Sequence, residues 1–104
     1  MIATTILSAC WDAYDQKKAL AKQDHYIFCP DEPWEFSYLV DAIVRAEPHL
    51  DEITVMLAVR QSMRQTMAPR PRKHFVETVV TSIREREEYW AQIVENAGQI
   101  STDN

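Results

Sequence analysis

A small all-α domain of four helices with a long C-terminal helix, paired with a second copy, is the fold class the sequence predicts. Three observations carry it. The chain has 104 residues, enough for one hydrophobic core. Its five prolines, Pro30, Pro33, Pro48, Pro69 and Pro71, separate four proline-free segments, each with apolar residues at helical spacing. It has a single glycine, Gly98, so proline, and not glycine, sets the element boundaries. The same scarcity excludes P-loops, dinucleotide-binding turns and nucleophile elbows, which need several residues tolerant of positive φ.

The first helix is expected over residues 2–22, where Ile6, Cys10 and Ala13 and the adjacent Leu7, Trp11 and Tyr14 make two neighbouring stripes before Lys17 and Lys18 open a polar stretch. Tyr26, Ile27 and Phe28 follow in a row. They have the composition of a strand, but no second strand is evident, and an extended linker is expected.

The second helix is expected over 32–46. Asp31, Glu32 and Pro33 supply a cap, first-turn negative charge and an early proline. Phe36, Leu39, Val40 and Ile43 then form the core face at i, i+3, i+4, i+7. Trp34, Tyr38, Asp41 and Arg45 fall on the opposite face. Two large aromatics there read either as anchors for a partner or, for Trp34, as packing at the helix start beneath the 26–28 linker.

The third helix is expected over 51–67. Ile53, Met56, Leu57, Met63 and Met67 form one face with Arg60 at its centre, which asks for a snorkelling stem or a carboxylate from another helix. Val55, Ala58 and Val59 form a smaller apolar patch on the far side. That patch makes the helix either central to the bundle or partly covered by another chain, and Val55 and Val59 are candidate partner contacts.

The fourth helix is expected over 71–97, with Val76, Ile83, Trp90 and Ala97 seven residues apart and Val79, Val80, Ile93 and Val94 between them. Such a span is about 40 Å long, against a radius of gyration near 13 Å for a domain of this size. The helix should therefore overhang, and Trp90, Ile93 and Val94 should meet a second copy in a homodimer. Gly98 is expected to cap this helix in the left-handed conformation, leaving 98–104 as a polar tail.

Charge is unevenly placed on a chain of net −5. Arg60, Arg64, Arg70, Arg72 and Lys73 lie in the stretch 53–76, which has no acid, so the remainder is strongly acidic. Arg64, Arg70, Arg72 and Lys73 form a patch for something anionic: an acidic surface of the same protein or its mate, an acidic partner, or phosphates. The overall charge argues against generic nucleic-acid or membrane binding. A helix-turn-helix reading of helices two and three places Asp51 and Glu52 where a recognition helix would meet phosphate. A small DNA-binding repressor using residues 60–73 stays the alternative to a protein-binding role.

Residues 1–14 carry no Lys or Arg and do not read as a secretory signal, and the apolar run 53–59 is too short for a bilayer, so a cytoplasmic address is expected. Cys10 and Cys29 lack the spacing of a zinc site or a disulfide framework and read as reduced structural thiols. Cys29 and His25 are the one nucleophile and base close in sequence, but Cys29 precedes Pro30 in a short linker and no oxyanion hole is evident. His25, His49 and His74 lie apart, without metal-ligand spacing. No catalytic, cofactor or metal site is expected.

The stretch from Tyr26 to Tyr38 (YIFCPDEPWEFSY), with the size and helical layout of the whole chain, resembles the QslA-type antiactivators, small proteins that bind LuxR-type quorum-sensing transcription factors. The resemblance implies an all-helical dimer that docks on the receptor's ligand-binding domain, competes with receptor dimerisation and keeps the receptor from DNA. It transfers no site residues.

Overall fold

The computed structural model describes residues 2–9 and 11–102, with side chains over 3–9 and 11–96. The described residues are mostly helical. Their order is α1 (Ile2–Ser8), α2 (Asp12–Leu20), β1 (Ile27–Phe28), α3 (Pro33–Ala46), α4 (Glu52–Gln65), β2 (Arg70–Pro71) and α5 (Arg72–Thr102).

The expected first helix is two helices. No proline or glycine marks the break. Trp11, at the N-cap of α2, turns its indole into the core and donates from Nε1 to the Ile6 carbonyl at 2.9 Å, occupying an acceptor at the end of α1. The gain from burying the largest side chain outweighs continuity of the helix. Lys22, with φ of 57°, turns the chain after α2.

The expected linker at 26–28 is instead half of a two-stranded antiparallel ribbon, with Ile27 opposite Pro71 and Phe28 opposite Arg70. Its partner contains proline and was unreadable as a strand, but an edge position tolerates proline because one side of the strand needs no donor. The Arg72 amide adds a bond to the Tyr26 carbonyl at 2.7 Å. The ribbon thus ties the start of α5 to the segment before α3.

Helix α3 begins where its sequence places it, with extended Glu32 as N-cap and Pro33 in the first turn, but Glu32 makes no side-chain capping bond. Leu39, Val40 and Ile43 are buried and Phe36 is half-buried. Helix α5 packs chiefly along α4, and α1 closes the bundle against α3 and α5.

The inward face of α4 is the smaller of its two apolar patches. Val55, Ala58, Val59 and Ser62 are buried, whereas Ile53 is 64% and Leu57 47% exposed. Small side chains allow α4 to approach α5 closely, and the Ser62 hydroxyl is satisfied by the Ala58 carbonyl at 2.8 Å, so burying it costs little. The face with the larger residues also carries Arg60 and Arg64, which the core would have to desolvate. Val55 and Val59, expected as partner contacts, are core residues with no exposed surface.

Helix α5 runs to Thr102, through Gly98, so the expected cap and polar tail at 98–102 are helical instead. One glycine within a helix costs only about 1 kcal/mol. Among its described side chains the last buried apolar residue is Ile83, and every side chain from Glu87 to Asn96 is exposed. The overhang gives the molecule extents of 63 × 26 × 21 Å and a radius of gyration of 16.3 Å.

Candidate protein-docking face

Outward-facing α4 residues and the start of α3 form an open groove of about 740 Å³. Pro30, Pro33, Phe36, Met56 and Met63 supply its apolar lining, and Arg60, Arg64 and Arg70 its cations, with Asp31 the one acid among the lining residues. Ile53 and Leu57 continue the apolar strip toward the N-terminal end of α4. Monomeric proteins seldom leave a contiguous apolar strip of this kind uncovered, and methionines suit a surface that must adapt to another side-chain set.

The three arginines are placed differently. Arg60 is exposed, its guanidinium 5.9 Å from the centre of the Phe36 ring, which answers its position in an apolar stripe: the stripe faces solvent. Arg64 is exposed. Arg70 is anchored. Its Nη2 donates to the Met63 and Thr66 carbonyls, both at 3.2 Å, and its Nε to Thr66 Oγ1 at 3.0 Å, so it closes the C-terminus of α4. Arg72 pairs with Asp15 at 2.9 Å and lies 4.6 Å from the Trp11 ring centre, tying α5 to α2. The expected anionic-partner patch is therefore split: Arg70 and Arg72 are engaged within the chain, while Arg64 and Lys73 are exposed.

Trp34 and Tyr38, expected as anchors, belong to an aromatic cluster. Trp34 is half-buried with its ring 5.2 Å from that of Tyr14 and the Lys17 ammonium 4.4 Å above it. Tyr38 is half-buried against Trp11 at 5.2 Å and Tyr14 at 5.4 Å, and lines a separate groove between α1 and α3. Because α2 covers what looked like the free face of α3, these aromatics hold helices together. Trp90 and Val94 stand 62% and 66% exposed on the overhang, and Ile93 37%.

Beneath the cluster lies a buried polar knot. Glu35 Oε1 accepts the Tyr14 hydroxyl at 2.6 Å and the Cys29 amide at 2.9 Å, and the Lys18 ammonium meets both carboxylate oxygens at 3.1 and 3.0 Å. Lys18 and Glu35 have essentially no exposed surface. Burial, then the hydrogen bond to Glu35, pushes the Tyr14 hydroxyl far above the ordinary tyrosine range. Glu35 escaped the sequence reading, although its spacing of four from Leu39 and of eight from Ile43 sets it on the core face.

Cys29 is a free thiol whose Sγ lies 3.7 Å from Lys18 Nζ, while His25 stacks on Tyr26, ring centres 4.0 Å apart. Cys10 lies outside the described residues. Among the described residues no three His, Cys, Asp or Glu side chains converge on a common point, and no helix is long and apolar enough to cross a membrane. No family model, curated protein or solved structure matches the chain.

Proposed function

We propose that this protein is a dimeric, non-catalytic antiactivator that sequesters a LuxR-type quorum-sensing transcription factor, docking on its ligand-binding domain and blocking its dimerisation and DNA binding. The observation that carries a docking role is the outward strip of α4, where Ile53 and Leu57 lie exposed and Met56 and Met63 half-buried beside the exposed Arg60 and Arg64. Such a strip fits a helix with apolar and acidic side chains. The class of regulator comes from the resemblance carried by the Tyr26–Tyr38 stretch.

A repressor binding DNA directly through residues 60–73 finds less support. Arg70 and Arg72 are engaged within the chain, which leaves three exposed cations, Arg60, Arg64 and Lys73, in that segment.

Calorimetric titration against a purified LuxR-type ligand-binding domain tests the reading. The protein is expected to bind and to dissociate the receptor dimer, and Leu57→Asp should weaken binding at least tenfold without lowering the melting temperature appreciably. Absence of binding to such a domain, with steeply salt-dependent binding to duplex DNA, overturns it.

A further inference from the structure

We infer that in the free protein the outward strip of α4 is covered by the α5 overhang of a second copy, so that the dimer masks its own docking face. The inference rests on that face being the docking site. Both halves of the contact are present in one chain.

On α4, residues 53, 56, 57, 60, 63 and 64 form a stripe that is apolar except for Arg60 and Arg64. On α5, residues 83, 86, 87, 90, 93 and 94 form a stripe with the same heptad spacing, apolar except for Arg86 and Glu87. Arg86 is half-buried and held toward the bundle by donating to Gln61 of its own chain at 2.7 Å. The exposed charges that interrupt the two stripes are of opposite sign: arginine on α4, glutamate on α5.

The surroundings follow the same pattern. Residues 84–96 hold Glu85, Glu87, Glu88 and Glu95 against Arg84 and Arg86, so the overhang is an acidic amphipathic helix. The groove is cationic, with three arginines to one aspartate. Within one copy, residues 75–83 of the α5 seam are buried in the bundle, while Trp90, Ile93 and Val94, farther along it, are exposed. Reciprocal exchange under two-fold symmetry would cover both overhangs and both strips, which a contact between the overhangs alone would not do.

A charge-exchange experiment on the full chain, read by sedimentation equilibrium, tests the proposal. Arg60, Arg64 and Glu87 are exposed, so Arg60→Glu/Arg64→Glu and Glu87→Arg should keep the helical circular-dichroism spectrum of the wild type. Each variant alone should dimerise at least tenfold more weakly than wild type. Mixing the two should restore a heterodimer of near wild-type affinity, because one contact has both charges reversed and the other is native. A groove variant that dimerises as tightly as wild type, a mixture that does not recover, or a monomeric wild-type protein overturns the inference. Titration with the ligand-binding domain separates the readings: Glu87→Arg, with its strip unmasked, should bind at least tenfold more tightly than wild type. If no form binds the domain while the charge exchange succeeds, the proposed function fails and the dimer stands.

Discussion

The Lys18–Glu35–Tyr14 knot shows how three polar side chains can occupy a small core. Each is held by the others, and removing one leaves the remainder buried and short of a partner. Lys18→Met should therefore destabilise the fold by about 3–5 kcal/mol in urea denaturation, whereas Lys18→Met/Glu35→Leu should recover part of that loss, since no charge is then stranded although the Tyr14 hydroxyl and the Cys29 amide lose their acceptor. A double variant as unstable as the single one would show that the knot contributes more than mutual compensation.

The same residues set a pH dependence. In the folded chain Tyr14 stays protonated at pH values where the unfolded chain ionises, because burial and the hydrogen bond to Glu35 raise its pKa. Its contribution is fully present below the ordinary tyrosine pKa of about 10 and declines as pH rises above it. Tyr14→Phe should flatten that alkaline decline, measured as the urea midpoint against pH. At this scale the sequence was a partial guide. Arg60 stood out because it interrupts an apolar stripe, but Glu35 was hidden between Trp34 and Phe36, and its partner Lys18 lies in another helix.

At the scale of elements, α4 is the instructive case. Its two apolar stripes both have helical spacing, and residue size points to the wrong one. The charge-free stripe 55, 58, 59, 62 is the buried one, a signal present in the sequence, while the stripe with the larger side chains contains two arginines. Val59→Asp should cost more than about 4 kcal/mol or prevent folding, and Leu57→Asp less than about 1 kcal/mol, by urea denaturation. Equal losses would mean that both faces are core. Helices α3 and α4 were legible from proline, acidic caps and periodicity. The α1–α2 break and the β1–β2 ribbon were not, because each depends on a contact distant in sequence: the Trp11 ring in the core, and Phe28 against Arg70. Arg70 also supports α4, and Arg70→Ala should lower stability by about 1–2 kcal/mol through loss of the C-terminal carbonyl contacts.

At the scale of the whole molecule, the long α5 was legible from its heptad repeat, and its overhang follows from a core too short to cover it. The exposed surface was read the other way round. Trp34 and Tyr38 are half-buried in an aromatic cluster, whereas Ile53 and Leu57 are exposed, with Met56 and Met63 half-buried beside them. Amphipathicity identifies that a helix has a covered side; which side is covered by the same chain depends on where the neighbouring helices lie, and α2 settles this for α3.

A spectrum that reports methionine methyl groups and tryptophan indoles together, recorded while an unlabelled LuxR-type ligand-binding domain is added, tests most directly whether the α4 face is where this protein binds. The account predicts shifts at Met56 and Met63, a change at Trp90 as the overhang of the second copy is released, and an unmoved Trp34. Shifts confined to Trp34, with Met56 and Met63 unchanged, would contradict it.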